Sequence, residues 1–325
     1  MTHYHFLLDL YNSMSAAAYS YDLTDLFYWC YFCVKKRWWN RFPFLYVDEV
    51  QDLSDDMIDH LQRLSVNALG RVVFFGHNAQ NIARGMSLKF FNLADKLLMS
   101  DDGFSSDFIQ LTKNFRSQQE IIDLGNSIFK ILLLVSKGDL EIMPNEESIK
   151  SGPKPLCLEV GLEVPDLIEF NEKYLGKEYV VLVRDKDAKL NLPEELKGRF
   201  CLTIYESKGL EFDDLLLFDY FDSSESFKCW NFLNKIDIVE REVDYGEFLA
   251  IEEDLKKGRI RDDRIFLKSE MIDSNKYKVY EFVQGRTAEK DDLMFFNEIN
   301  DEMKALYVAI TRAKNRVVIF DTFRN

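Results

Sequence analysis

Phe44-Leu45-Tyr46-Val47-Asp48-Glu49-Val50-Gln51-Asp52 is an apolar run that ends abruptly in acid. A run this short, flanked by polar residues, reads as a buried strand rather than a helix. In an open α/β sheet the ligand crevice lies at the carboxyl ends of the strands, so this strand would deliver two carboxylates to it. Phosphoryl transfer uses such a pair: Asp48 could hold a hydrated magnesium ion, while Glu49 orients or deprotonates the attacking water. Taken alone the pattern is weak, because acidic residues commonly end strands as solvated caps.

Outward from this strand the same grammar repeats. Strand-like runs stand at 44–47, 72–75, 179–183, 215–218 and 317–320, and amphipathic helical patterns fill 56–64, 118–134 and 298–308. Alternation of this kind predicts α/β architecture with largely parallel sheets. The stretch 145–155, with Pro144, Gly152, Pro153 and Pro155 in or beside it, predicts a loop entering a new strand. Residues 223–292 are charged and irregular, and are expected to form a small insertion in a second sheet domain.

Bulk properties narrow the classes. With 325 residues the chain is long enough for two domain-sized cores. Its 56 acidic against 41 basic residues give a net charge of −15, which argues against tight nonspecific binding to phosphate backbones and leaves only local nucleic-acid contacts. Residues 1–10 lack the basic-then-apolar order of a secretory signal, and the most apolar runs, 27–34 and 128–135, are well short of a spanning helix. The expectation is an intracellular protein, of nucleus or cytoplasm, without a membrane partner. Cys30, Cys33, Cys157, Cys201 and Cys229 include a single C-x-x-C pair, set among aromatics, and His3, His5, His60 and His77 show no ligand spacing, so no structural metal is expected.

Four further segments follow the acidic strand in order. The run 72–75 leads into Gly76-His77-Asn78-Ala79-Gln80, followed by Ile82, Arg84 and Gly85. Leu111-Thr112-Lys113-Asn114-Phe115-Arg116-Ser117 enters a helix that Ser117 is expected to cap, with Glu120 three residues on. Tyr205-Glu206-Ser207-Lys208-Gly209-Leu210-Glu211-Phe212-Asp213 precedes one strand, and Leu306-Tyr307-Val308-Ala309-Ile310-Thr311-Arg312-Ala313-Lys314 precedes another. Together with residues 44–52, these resemble motifs II to VI of UvrD/Rep-type superfamily I helicases, in the right order from residue 44 to residue 320. The wording of residues 205–214 and of Ala83-Arg84-Gly85 is similar to the helicase-like region of large TPR and ankyrin repeat proteins.

The resemblance implies a P-loop NTPase type of fold, with a partial first RecA-like domain over 1–112 and a complete second one over 113–325, its parallel sheet flanked by helices. It implies ATP and Mg2+ as cofactors, with Asp48 at the magnesium position and Glu49 as catalytic base. Gln51 and Gln80 match glutamines that sense the attacking water and the terminal phosphate. Arg116 and Arg312 match arginines reaching the γ-phosphate, a role suited to a planar guanidinium. Phe115 stands at the adenine-stacking position, with Gly209 and Glu211 in the segment near the ribose. Bland readings exist for some of these: Arg116 as a helix-start surface residue, Phe115 as core, Lys208-Gly209 as a simple turn. Arg312, in an apolar run, has fewer, because a buried arginine needs an anionic partner.

The pattern also breaks. No G-x-x-x-x-G-K-[ST] string, whose backbone amides cradle phosphates, occurs in the 325 residues, and only 47 precede Asp48. Most of the first RecA-like domain is therefore expected to be absent. His77 replaces the usual aspartate, Ala83 and Gly85 replace base-stacking aromatics, and Tyr205 replaces a histidine that contacts the nucleic-acid backbone. Base stacking contributes roughly 1 to 3 kcal/mol per base, so the grip on a single strand is expected to be weaker. Three readings stand: an ATP-dependent helicase or translocase fragment acting on single-stranded DNA or RNA with an upstream portion of the same polypeptide; a degenerate, non-hydrolysing module for protein interaction or regulation; and an unrelated α/β phosphohydrolase, which leaves the later motifs idle.

Overall fold

The computed structural model describes residues 44–62, 72–82, 93, 109–136, 140, 143–158, 164–224, 230, 237–256, 264–273, 275–283 and 295–321. The described residues fall into two compact units, one holding 44–62 and 72–76 and the other holding 77–82, 93 and 109–321. Residues 77–82 lie on the first-domain side of the expected division at residue 112, yet Ala79 and Ile82 are buried in the core of the second unit.

In the first unit, strand β1 (Leu45–Val47) leads to helix α1 (Asp55–Gln62) and then to strand β2 (Val72–Phe74), which pairs parallel with β1. The pairing continues past the strand ends, with Phe75 N donating to Val47 O at 2.8 Å and Val50 N to Phe75 O at 2.9 Å. Among the described residues of this unit, Val47, Val50, Met57 and Ile58 are buried apolar side chains.

The second unit begins with short β3 (Lys113–Asn114), helix α2 (Gln119–Val135) and short β4 (Glu147–Ser148), which pairs parallel with β3. Then follow β5 (Leu156–Leu158), α3 (Val164–Tyr174), β6 (Val180–Val183), α4 (Lys186–Leu190), α5 (Glu194–Lys197), β7 (Cys201–Thr203), α6 (Ile204–Ser207) and β8 (Phe212–Phe218). An antiparallel excursion made of β9 (Asp237–Asp244), α7 (Tyr245–Lys256), β10 (Arg264–Asp273) and β11 (Lys276–Val283) falls inside the stretch 223–292. Helix α8 (Phe295–Ile310) and β12 (Ala313–Phe320) complete the unit.

The main sheet runs β5-β12-β8-β6-β7 with every pairing parallel, the α/β architecture expected from the alternation. Because side chains alternate across a strand, an all-apolar run feeds two cores at once. Val180 and Leu182 of β6, Leu215 and Leu217 of β8 and Val317 of β12 enter one core with α2 and α8. Val181, Val183, Leu216, Phe218, Val318 and Phe320 enter the other, with Leu167 of α3 and Leu196 of α5. On α8 the spacing of Ile299, Met303, Leu306, Tyr307 and Ile310 is that of one helical face, and all five are buried.

The helix start at α2 differs from expectation. Gln118 caps it, accepting from Glu120 N at 2.7 Å, whereas the Ser117 hydroxyl donates to Ala313 O at 2.5 Å. Ser117 is spent on a tertiary bond because Gln118 N already donates to Lys314 O at 2.9 Å, which brings the chain beside β12 one residue before the helix begins.

Polar ties close the sheet. Arg184, just past β6, makes a two-pronged ion pair with Glu302 of α8, and Tyr220 donates to Glu302 O at 2.6 Å. Arg316 and Asp214, register partners on β12 and β8, are joined by bonds of 2.6 and 2.7 Å. Cys201 is a free thiol; Cys30, Cys33 and Cys229 lie outside the described residues, as do Ala83, Arg84 and Gly85. Among the described residues no helix is long and apolar enough to cross a membrane. Leu182 is fully buried in an internal strand, so Leu182→Ala is expected to lower the unfolding free energy by about 3 kcal/mol in urea titrations followed by circular dichroism; a loss below about 1 kcal/mol would contradict this packing.

Candidate functional site

Asp48, Glu49 and Gln51 form a group of their own at the carboxyl end of β1 in the first unit. Asp48 is exposed and its Oδ1 accepts from Glu49 N at 2.9 Å. Glu49 stands in the left-handed region at φ 53 and ψ 39, a conformation non-glycine residues seldom adopt and one that often accompanies functional sites. Gln51 is fully buried, and its amide donates to Glu49 Oε2. The pair therefore aims one carboxylate outward and braces the other. One exposed carboxylate suits a magnesium ion that keeps most of its waters, and among the described residues no cluster of three His, Cys, Asp or Glu forms a fuller cage.

The second unit gathers the remaining predicted residues around the amino ends of β8 and β12. Arg312 sits between α8 and β12, and Glu211 immediately before β8; Phe212 N donates to Arg312 O at 2.9 Å, which ties the two strand starts together. Arg312 is 2% exposed. Its Nε donates to Val308 O at 3.1 Å, and its terminal nitrogens donate to Leu210 O and to Gln80 Oε1, both at 3.3 Å. Thus Gln80 and Arg312, 232 positions apart, are hydrogen-bonded to one another.

Arg116 is brought to Glu211 instead, at 2.6 Å, and Lys314 reaches the other oxygen of the same carboxylate at 2.9 Å. The hydrogen bond from Lys314, helped by Arg116, holds the Glu211 carboxyl below the usual range. Asn114 Oδ1 accepts from Arg116 N and Ser117 N, which folds the chain back and turns Phe115 outward at 66% exposure. An aromatic this open is not core, which removes the bland reading of Phe115. Gly209 has φ +78, so the turn between α6 and β8 is one that L side chains adopt only under strain.

Three further side chains, not among the predicted site residues, join the group. Lys208 Nζ donates to Gln80 O at 2.9 Å, and the Tyr205 hydroxyl donates to Ile82 O at 3.0 Å. His77 Nδ1 accepts from Ala79 N at 3.1 Å, which leaves the proton of the neutral ring on Nε2, 3.1 Å from the Tyr307 hydroxyl. That hydroxyl in turn donates toward Glu146 Oε1 at 3.4 Å, and Glu146 Oε2 accepts from Asn114 at 2.8 Å. Burial pushes the Tyr307 hydroxyl well above its ordinary range, so it stays protonated.

No protein-family model matches the chain. Over 297 residues it is 29% identical to human "TPR and ankyrin repeat-containing protein 1", an alignment covering 86% of this chain and 9% of that protein. The chain therefore spans about a tenth of that relative's length. Among solved structures, the C-terminal domain of a possible DNA helicase from Lactobacillus plantarum WCFS1 aligns with a TM-score of 0.31 and 12% identity, covering 64% of this chain and 88% of that one. A likeness at that level carries no weight for fold or function.

Burial lowers the His77 pKa below 6.5, with Glu146 opposing in part. The unfolded chain then binds the proton more readily, so stability is fully present above about pH 6.5 and falls as pH drops from there toward the folded-state value. Thermal melts at pH 7.5 and 5.5 should show a smaller acid loss in His77→Gln than in the parent chain. Equal losses would contradict a buried neutral imidazole.

Proposed function

We propose that this chain is the hydrolysing and γ-phosphate-sensing part of an ATP-dependent motor of the UvrD/Rep superfamily I kind, acting on single-stranded nucleic acid. The observation that carries this reading is the pairing of Gln80 with a buried Arg312 beside the Arg116–Glu211 ion pair. A guanidinium kept from water and held in a fixed orientation by the Val308 and Leu210 carbonyls and the Gln80 amide is preorganised toward a developing phosphoryl charge. Phe115, exposed next to Arg116, offers a ring face to a base. In the first unit Glu49 would orient the attacking water, with Gln51 holding the carboxylate in place. Asp48 would hold magnesium, whose charge neutralises phosphate oxygens when it is bound. The 29% identity with a TPR and ankyrin repeat-containing protein over 86% of the chain is compatible with this reading and with residence in a larger protein.

The absence of a G-x-x-x-x-G-K-[ST] string from the 325 residues favours a second reading, a non-hydrolysing module that regulates or binds protein partners. Fluorescent ATP and ADP analogues separate the two. The motor reading expects preference for the triphosphate and an about tenfold loss of that preference in Arg312→Ala, the size of one charge-assisted hydrogen bond. No preference in the parent chain would sink it in favour of the module. Because the phosphate-cradling string is missing, steady-state ATP turnover by the 325 residues is expected to be weak with or without single-stranded DNA or RNA. Robust turnover abolished by Glu49→Gln would overturn that last expectation.

A further inference from the structure

Residues 77–82 carry Gln80. Their internal backbone bonds are those of one short turn: Gln80 N to His77 O at 2.9 Å, Asn81 N to Asn78 O at 3.3 Å and Ile82 N to Gln80 O at 3.1 Å. Side chains elsewhere in the second unit meet them at both ends. Tyr307 of α8 meets the His77 ring at the start of the segment, Lys208 takes the Gln80 carbonyl, and Tyr205 of α6 takes the Ile82 carbonyl at its end. Tyr307 is itself oriented, because its hydroxyl accepts from His77 Nε2 and donates toward Glu146, and Glu146 is held by Asn114 and, through its backbone, by Asn126. Ring contacts of His77 with Tyr307 at 5.3 Å and with Phe129 at 5.8 Å pack the same corner.

We propose that Tyr205, Lys208 and Tyr307 are positioning residues that latch the Gln80 segment to the second unit, so that Gln80 and Arg312 move as one element. The role given to that element rests on the reading under Proposed function. The latch also fixes which end of the Gln80 amide is presented. With Oε1 accepting from Arg312, the NH2 group is the end that can donate to an anionic oxygen, and a segment loose by an ångström would lose that orientation. Tyr205, at a position where the resembled family contacts nucleic acid, spends its hydroxyl on an internal carbonyl here.

Hydrogen–deuterium exchange of the 325-residue chain tests the latch without any ligand. In Tyr307→Phe and, separately, Tyr205→Phe, amides of residues 77–82 should exchange about tenfold faster, while those of 180–183 and 212–218 keep parental rates and report an intact sheet. Unchanged exchange at 77–82 in both variants overturns the proposal. The same variants are then titrated with the ATP and ADP analogues. Faster exchange with a reduced triphosphate preference and unaltered ADP affinity supports positioning. Faster exchange with an unaltered preference overturns the positioning role. If the parent chain shows no triphosphate preference, the motor reading fails by itself, while faster exchange still supports the latch.

Discussion

Burial of the parallel sheet on both faces is the constraint from which the rest follows. A strand such as β6, apolar at every position, is stable only when helices cover both sides, so α2 and α8 must lie on one face and α3 and α5 on the other. Covering the faces leaves only the strand ends open to polar chemistry. In the second unit the charged residues accordingly concentrate where β8 and β12 begin: Glu211 and Asp213, Arg312 and Lys314. The backbone bond from Phe212 to Arg312 sets the registry of that edge.

The arginines of the second unit sit in different surroundings. Arg184 and Arg316 are paired with carboxylates and serve the fold, joining β6 to α8 and β12 to β8. Arg312 donates to two backbone carbonyls and to the amide oxygen of Gln80. Arg116, partly open to solvent, shares a carboxylate with Lys314 and so stands in a contact that an anion could compete for.

Much of the fold was legible because its main strands are dense apolar runs. Val180–Val183, Leu215–Phe218 and Val317–Phe320 are such runs, and the 3.6-residue periodicity located α1, α2 and α8 within a few residues. The antiparallel strands β9 to β11 were not legible, since runs such as Asp237–Asp244 mix charge with aliphatic residues and gain their definition from pairing. At the site, the identities of Gln80, Arg116 and Arg312 stood out by motif, but their pairing could not. Gln80 meets a residue 232 positions away, and Glu146, read as part of a proline-rich loop border, gains its role from Asn114 and Asn126. The expected Ser117 cap failed for the same reason: a local rule lost to a tertiary bond with Ala313.

That bond also has a mechanical side. Ser117 and Gln118 are stitched to Ala313 and Lys314, the neighbours of Arg116 and Arg312 in the chain. Bonds from two consecutive residues to two consecutive residues form a yoke, which leaves the segments bearing the two guanidiniums little freedom to slide against each other. Whatever tilts α2 would carry the segments that bear both arginines in one stroke.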